Sequence, residues 1–297
     1  AQLQAGAASY MAGYAPLMSA AAMTQNSALK SDISADSSYV DSDMRKIKHI
    51  KNQKGIVVST QNLFNSYNQL RINADLIQKN VEVMEAAANA AQTQASIGMA
   101  TQADVLKAQK NLQSIKSTQT ETLSSLETLR QNLCMMTGWS YNAQPEIKEV
   151  PQADLAAIDQ INLEADRQKA LENNYDLQYS RRALNNMQEN STDKKNQERT
   201  VKNLEQSISA SMTNLYNDIQ QKKIAWQLAQ AELATEQQSM SATETKRGLG
   251  MVSDLEYLQA QSSFLGKQIA EKTANMALFQ AVETYNWAVN GYLNQTQ

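Results

Sequence analysis

The 297-residue chain is short of the residues that punctuate most folds. It holds 9 Gly and 3 Pro, where average usage of about 7% and 5% gives roughly twenty and fifteen. Tight turns need Gly, Pro, Asn or Asp at fixed places, so a many-stranded sandwich or barrel is not expected. The single Cys134 rules out an internal disulfide framework and a CxxC metal or redox site. His49 is the only histidine, which removes a His-based metal cluster and a Ser-His-Asp triad within one chain. Neither GxGxxG nor GxxxxGK[ST] occurs, so a nucleotide fold is not expected. The formal net charge is −3, without the basic excess that neutralises a phosphate backbone, so nucleic acid is a poor partner. Mean hydropathy is −0.54, and no apolar run approaches the roughly 18 residues that span a bilayer. The most apolar stretch, Tyr14 to Met23, is short and holds Pro16. The opening AQLQAGAA lacks a charged and an apolar signal region, and fits a chain already processed for export.

What the chain has in abundance is Ala, Gln and Asn, about a third of its residues together. That composition favours helices. It also repeats. Residues 97–109 read IGMATQADVLKAQ and residues 249–261 read LGMVSDLEYLQAQ, with five of thirteen positions identical at an offset of 152. A Tyr-Asn pair precedes each copy (Tyr67-Asn68, Tyr216-Asn217), and a Gly-aromatic pair follows (Gly138-Trp139, Gly291-Tyr292). The chain therefore reads as a first helical-hairpin repeat over 1–145, a linker over 146–157 and a second repeat over 158–297, with two of the three prolines, Pro145 and Pro151, at the join. Each repeat is expected to hold a first helix (roughly 2–30, then 158–188), a polar loop (residues 30–43, then 188–199), a very long helix, a Gly break and a return helix of about 35 residues.

The long helices carry a heptad seam. In the first, Ile56, Thr60, Leu63, Tyr67, Leu70, Ala74, Ile77, Val81, Met84, Ala88, Ala91 and Ala95 alternate in steps of four and three. In the second the row is Val201, Leu204, Ile208, Met212, Leu215, Ile219, Trp226, Ala229, Leu233 and Met240. A seam this narrow buries too little surface alone, so the helices must pair along their length. Residues 56–96 span about 60 Å at 1.5 Å per residue, which predicts an elongated molecule.

At each Gly break, Gly98 or Gly250 can take the left-handed conformation that closes a helix. Thr101 with Asp104, and Ser253 with Glu256, then fit the N-cap and third position of a capping box. The result is two hairpin tips with apolar residues at their apex. The first tip is Ile97, Gly98, Met99, Ala100 and Thr101; the second is Leu249, Gly250, Met251, Val252 and Ser253.

Two tandem hairpins with Gly-hydrophobic-x-[ST]-x-x-[DE]-x-L-x-A-Q tips resemble the TolC-type outer-membrane efflux protein family, as does ALENNYDLQYSRRAL over 170–184. The resemblance covers nearly the whole chain, with residues 1–45 matching worst. It implies a homotrimer that closes into an α-helical barrel, a passive exit duct for efflux or type I-like secretion in the cell envelope outside the cytoplasmic membrane. It implies docking of the tips on a periplasmic adaptor of the membrane-fusion type, which links the duct to an inner-membrane pump. Asp104, Glu256 and Gln259 occupy the positions of the pore aperture, where the family often has a further acid in place of Gln259. Val252 stands where some members have a basic residue, with Lys246 and Arg247 close by. The family inserts two β-strands between the first two helices of each repeat. A barrel strand needs about 9–11 residues, and neither 31–45 nor 188–199 has room for two. β-barrel strands are therefore expected to be absent, which leaves outer-membrane embedding in doubt.

Each feature also has a plainer reading. Asp104 and Glu256 suit helix capping alone, or capping together with pore lining. The apolar tips suit ordinary hairpin packing as well as docking. Trp139, Trp226 and Trp287 read as packing anchors, Cys134 as a buried small hydrophobe, His49 as an exposed helix residue, and Arg45, Lys46, Lys48 and Lys51 as a solvated face. Neither a cofactor nor a metal is expected, and no acid, base and nucleophile converge to suggest an enzyme. Two alternatives to the duct stand beside it. Tubes of this kind could associate end to end as a structural filament, or a coiled-coil adaptor could bind partners along its flank.

Overall fold

The computed structural model describes residues 40–189 and 191–293. The expected first helix at roughly 2–30, and most of the first polar loop, lie outside the described residues. Within them the fold is all-α. The helices are α1 (Ser42–Ser96), α2 (Gln102–Met136), α3 (Leu155–Asp159), α4 (Leu163–Asn173), α5 (Tyr175–Asn186), α6 (Thr192–Gly248) and α7 (Asp254–Val289). No β-strand occurs among the described residues, and none of their helices is long and apolar enough to cross a membrane. The return helices α2 and α7 have 35 and 36 residues, as the repeat predicts.

The described chain divides into two compact units, each drawing on both halves of the sequence. The first comprises Leu63–Pro151 and Lys223–Ala277. Its core is built from the seam residues Leu70, Ile77, Val81 and Ala88 of α1, with Trp226 and Met240 of α6. Ile72, Ile269 and Met276 form a buried cluster against which Leu76, Leu265 and Val150 pack. Val150 belongs to the linker, which is stitched down rather than loose. Arg71 donates to the Ile147 carbonyl at 2.8 Å, and the Asn275 side chain donates to the Pro151 carbonyl at 3.4 Å. Those bonds satisfy backbone carbonyls that no helix uses.

The second unit comprises residues 40–62, Gln152–Lys222 and residues 278–293. Val201, Ile208, Met212 and Ile219 of α6 fill it together with Met44, Leu177, Leu278 and Tyr285. Short polar side chains start its helices. Asp154 caps α3, Asn162 caps α4 and Asn174 caps α5, each by accepting backbone N–H groups of the first turn. Asp41 accepts from the Met44 N–H at 2.9 Å, from Arg182 at 2.6 Å and from Asn186 at 2.9 Å. These donors, the Asn186 amide foremost, hold its carboxyl well below the usual range.

Five expectations need correction. The single helix over 158–188 is three pieces, because Asn162 (φ −105, ψ 94) and Asn174 (φ −60, ψ 119) both turn extended and each caps the helix that follows. The polar loop expected over 188–199 is shorter, because the Ser191 hydroxyl accepts from the Lys194 N–H at 3.0 Å and starts α6 at Thr192. Trp139 is exposed rather than an anchor, whereas Trp226 is buried and donates to Glu271 at 2.6 Å, and Trp287 donates to Gln61 at 2.6 Å. Lys51 does not belong to a solvated face: its ammonium meets Asp176 at 2.6 Å. The first seam residue, Ile56, is also exposed, so the buried seam begins further along α1.

Candidate functional site

Both hairpin tips belong to the first unit. Each begins with a Schellman closure. Gly98 has φ +78 and Gly250 has φ +71. The Gly98 N–H donates to the Ala95 carbonyl at 3.1 Å and the Met99 N–H to the Gln94 carbonyl at 2.8 Å. In the second tip Gly250 donates to Arg247 at 2.9 Å and Met251 to Lys246 at 2.9 Å. This is the paired 5→2 and 6→1 pattern that uses up the last carbonyls of a helix.

The return helices then start with full capping boxes. In the first tip the Asp104 N–H donates to the Thr101 hydroxyl at 3.2 Å, while the Thr101 N–H and hydroxyl donate to one Asp104 carboxylate oxygen at 3.0 and 2.7 Å. In the second the Glu256 N–H donates to the Ser253 hydroxyl at 3.2 Å, and the Ser253 N–H and hydroxyl both reach one Glu256 oxygen at 2.8 Å. Donors aimed at a carboxylate favour its ionised form. The Thr101 hydroxyl first, and then its N–H, lower Asp104; the Ser253 N–H first, and then its hydroxyl, lower Glu256. Asp104, Glu256 and Gln259 are all exposed, with Gln259 one helical turn beyond Glu256.

The apex of each tip presents bare apolar surface. Ile97 is 64% exposed, Met99 77%, Leu249 70% and Met251 71%. Ala100 and Val252 are half-buried. The closure motif itself offers the methionines no apolar cover. A Schellman closure ordinarily packs its final residue on the side chain five positions earlier. Among the described residues four such closures occur, at Gly98, Gly138, Gly250 and Gly291. At Gly291 the pair is Tyr292 on Trp287, edge to face with centroids 6.3 Å apart. At Gly138 the earlier residue is the buried Cys134. At the tips it is Gln94 for Met99 and Lys246 for Met251, both polar. The tip methionines therefore have no local apolar partner in the motif that places them.

One tip feature had no counterpart in the sequence reading. Arg247, in the last turn of α6, pairs with Asp254 at 2.9 Å and lies over the Tyr257 ring at 3.8 Å from its centroid. The equivalent first-tip positions are Ala95, Gln102 and Val105, so the second tip alone has this staple. The signal was the Arg247 to Asp254 spacing across a five-residue turn. The second unit has a cleft of about 380 Å³ whose lining includes Lys51, Gly55, Tyr175, Asp176, Tyr179 and Tyr292. Burial, and then the Asp176 charge, push the Tyr292 phenol up. Among the described residues no group of three or more His, Cys, Asp or Glu is placed to hold a metal.

No family model matches the chain, and no curated protein matches it by sequence. Solved structures do. A CusC structure, described as concerning folding and transmembrane channel formation, superposes with TM-score 0.63 at 14% identity over 98% of this chain and 96% of that one. The outer-membrane protein VceC of Vibrio cholerae gives TM-score 0.52 at 12% identity over 84% of this chain and 72% of its own. The open-state MtrE outer-membrane channel of Neisseria gonorrhoeae gives 0.50 at 12% identity over 86% and 71%. At these identities the likeness is one of fold. The fold of this chain is that of the TolC-type outer-membrane channels.

Proposed function

We propose that three copies of this chain close into an α-helical barrel that acts as a passive exit duct in the cell envelope. In this reading both tips dock an adaptor of the membrane-fusion type, which couples the duct to an inner-membrane pump. Asp104, Glu256 and Gln259 lie near the narrow end, where three copies of each face a common axis. Residues 1–145 and 158–297 are two copies of one hairpin unit, and 146–157 joins them. The observation that carries the reading is the likeness to CusC across almost the full length of both chains. The bare apolar tips support docking, since exposed apolar clusters on a polar protein mark contact surfaces. Ile224 and Leu228 of α6 and Leu106 and Leu123 of α2, apolar yet exposed in one chain, support side-by-side packing with neighbours.

Absolute mass by light scattering, with negative-stain images of the same peak, tests the trimer. Three chains and ring-shaped end views are expected. Open-ended fibres would favour the filament, and a monomer in buffers with and without detergent would refute the tube. Docking is tested by a photo-crosslinking residue at Ile97 or Leu249 in cells that naturally carry the protein. Capture of a hairpin adaptor is expected; no product at either position would refute docking.

A further inference from the structure

We propose that Met99 and Met251 form an oxidant-sensitive switch on the tips, one that releases the docked partner when both thioethers become sulfoxides. The inference rests on the docking reading above. Four observations carry it. The two methionines are the most exposed of the described methionines, at 77% and 71%. They occupy equivalent places in the two tips, immediately after Gly98 and Gly250. The residues a Schellman closure offers for packing, Gln94 and Lys246, are polar, so neither sulfur is shielded by its own motif. The other apex residues, Ile97 and Leu249, are aliphatic and resist mild oxidants. Met44, Met212 and Met276 are buried almost completely, and Met240 is 7% exposed.

The chemistry is a two-electron oxygen transfer. An oxidant of the hypochlorous acid class gives its oxygen to the sulfur: the S–O bond forms, the O–Cl bond breaks, and chloride and a proton leave. Sulfur is oxidised and chlorine reduced. The product exchanges a flexible apolar side chain for a polar one. A sulfoxide buried in an apolar contact without a hydrogen-bond donor is penalised, and the switch places one such group at the same point of each tip. Methionine sulfoxide reductases reverse the step, removing the oxygen as water while a dithiol becomes a disulfide.

The test begins with graded hypochlorite on the purified full chain, followed by peptide mapping. Met99 and Met251 are expected to convert before Met44, Met212 and Met276; simultaneous conversion of all five overturns the accessibility argument. Cells carrying the crosslinker at Ile97 are then exposed to the same oxidant. Adaptor capture is expected to fall at least about five-fold, to recover in lysates treated with both reductases and dithiol before crosslinking, and to persist in the Met99→Leu/Met251→Leu double variant. Undiminished capture with both methionines converted overturns the switch and leaves docking standing. Absence of capture before any oxidant overturns docking and the switch together. Equal loss in the double variant overturns the assignment to these two residues.

Discussion

Replacing Gly291 with Ala tests how the broken helix α4–α5 is seated on the end of α7. Gly291 closes α7 with φ +93, and a Cβ there would lie 2.1 Å from the Asn173 carbonyl oxygen and 2.6 Å from its carbon. The obstruction is backbone, so it cannot rotate away. Relief requires Asn173 to move, which strains two bonds that dock the break: Tyr175 N–H to the Gly291 carbonyl at 3.2 Å, and the Asn173 amide to the Val289 carbonyl at 3.1 Å. The left-handed backbone alone costs a non-Gly residue about 1–2 kcal/mol, and the two hydrogen bonds add about 1 kcal/mol each. Gly291→Ala should therefore cost about 3–4 kcal/mol in all. Gly138→Ala and Gly250→Ala are the internal controls. Their φ values, +81 and +71, carry the same backbone cost, but a Cβ at either meets nothing within 4 Å. The expected gap of about 2 kcal/mol corresponds to roughly 3 °C in Tm for a chain of this size. Thermal unfolding followed by far-UV circular dichroism at one fixed protein concentration reads the gap directly, because concentration shifts the Tm of any oligomer. If all three variants melt within about 1 °C of one another, the docked break is not where these contacts put it.

Asn174→Ala removes the buried cap whose side chain accepts the Leu177 N–H at 2.9 Å, and should cost about 1–2 kcal/mol; a Tm loss without faster amide exchange at Leu177 would contradict the capping role. The tip carboxylates make a pH prediction. Asp104 and Glu256 titrate below their unfolded values, so their stabilisation is present above the unfolded range of about 3.9–4.3 and is lost as pH falls through the folded values. The stability difference between wild type and the Asp104→Asn/Glu256→Gln double variant should accordingly shrink below about pH 4; a difference in urea midpoint that does not vary with pH would refute the argument. Arg247→Gln unpins the second tip alone. Being exposed, the pair contributes about 1 kcal/mol or less, so the Tm should barely move while amide exchange quickens over 249–252 and not over 97–100.

The tips and the long helices were legible because each rests on local rules. Gly at the left-handed position and Ser or Thr three residues before an acid describe a helix stop and start without reference to the rest of the chain, and both appear as expected. The heptad seam was legible for the same reason, since its period survives wherever the helices pair. What local rules missed is set by contacts distant in sequence. The run ENNYD over 172–176 carries a visible cap former in Asn174, yet a helix pattern flows across it on both sides. The break is held by the carbonyl of Gly291, more than a hundred residues on. Ile56 sits in register with the seam but is 47% exposed. The aperture role proposed for Asp104 and Glu256 depends on symmetry partners, which one sequence does not display.

The four Schellman closures separate what the hairpin needs from what its tips add. Closing a helix requires a left-handed residue and two backbone bonds, and all four ends meet that need in the same way. The side chain that follows the Gly is free to vary. At Gly291 it is an aromatic packed on Trp287, so the end is stabilised from within. At the tips it is a methionine over a polar residue, which contributes little to the closure itself. If folding alone shaped these positions, an apolar residue at 94 and 246 would strengthen both tips by the ordinary hydrophobic contact of the motif. Gln94 and Lys246 forgo that contact and leave the thioethers outward. A surface kept apolar at some loss to its own hairpin is accounted for by something that covers it, which is why the tips, rather than the better-enclosed cleft beside Lys51, carry the functional argument.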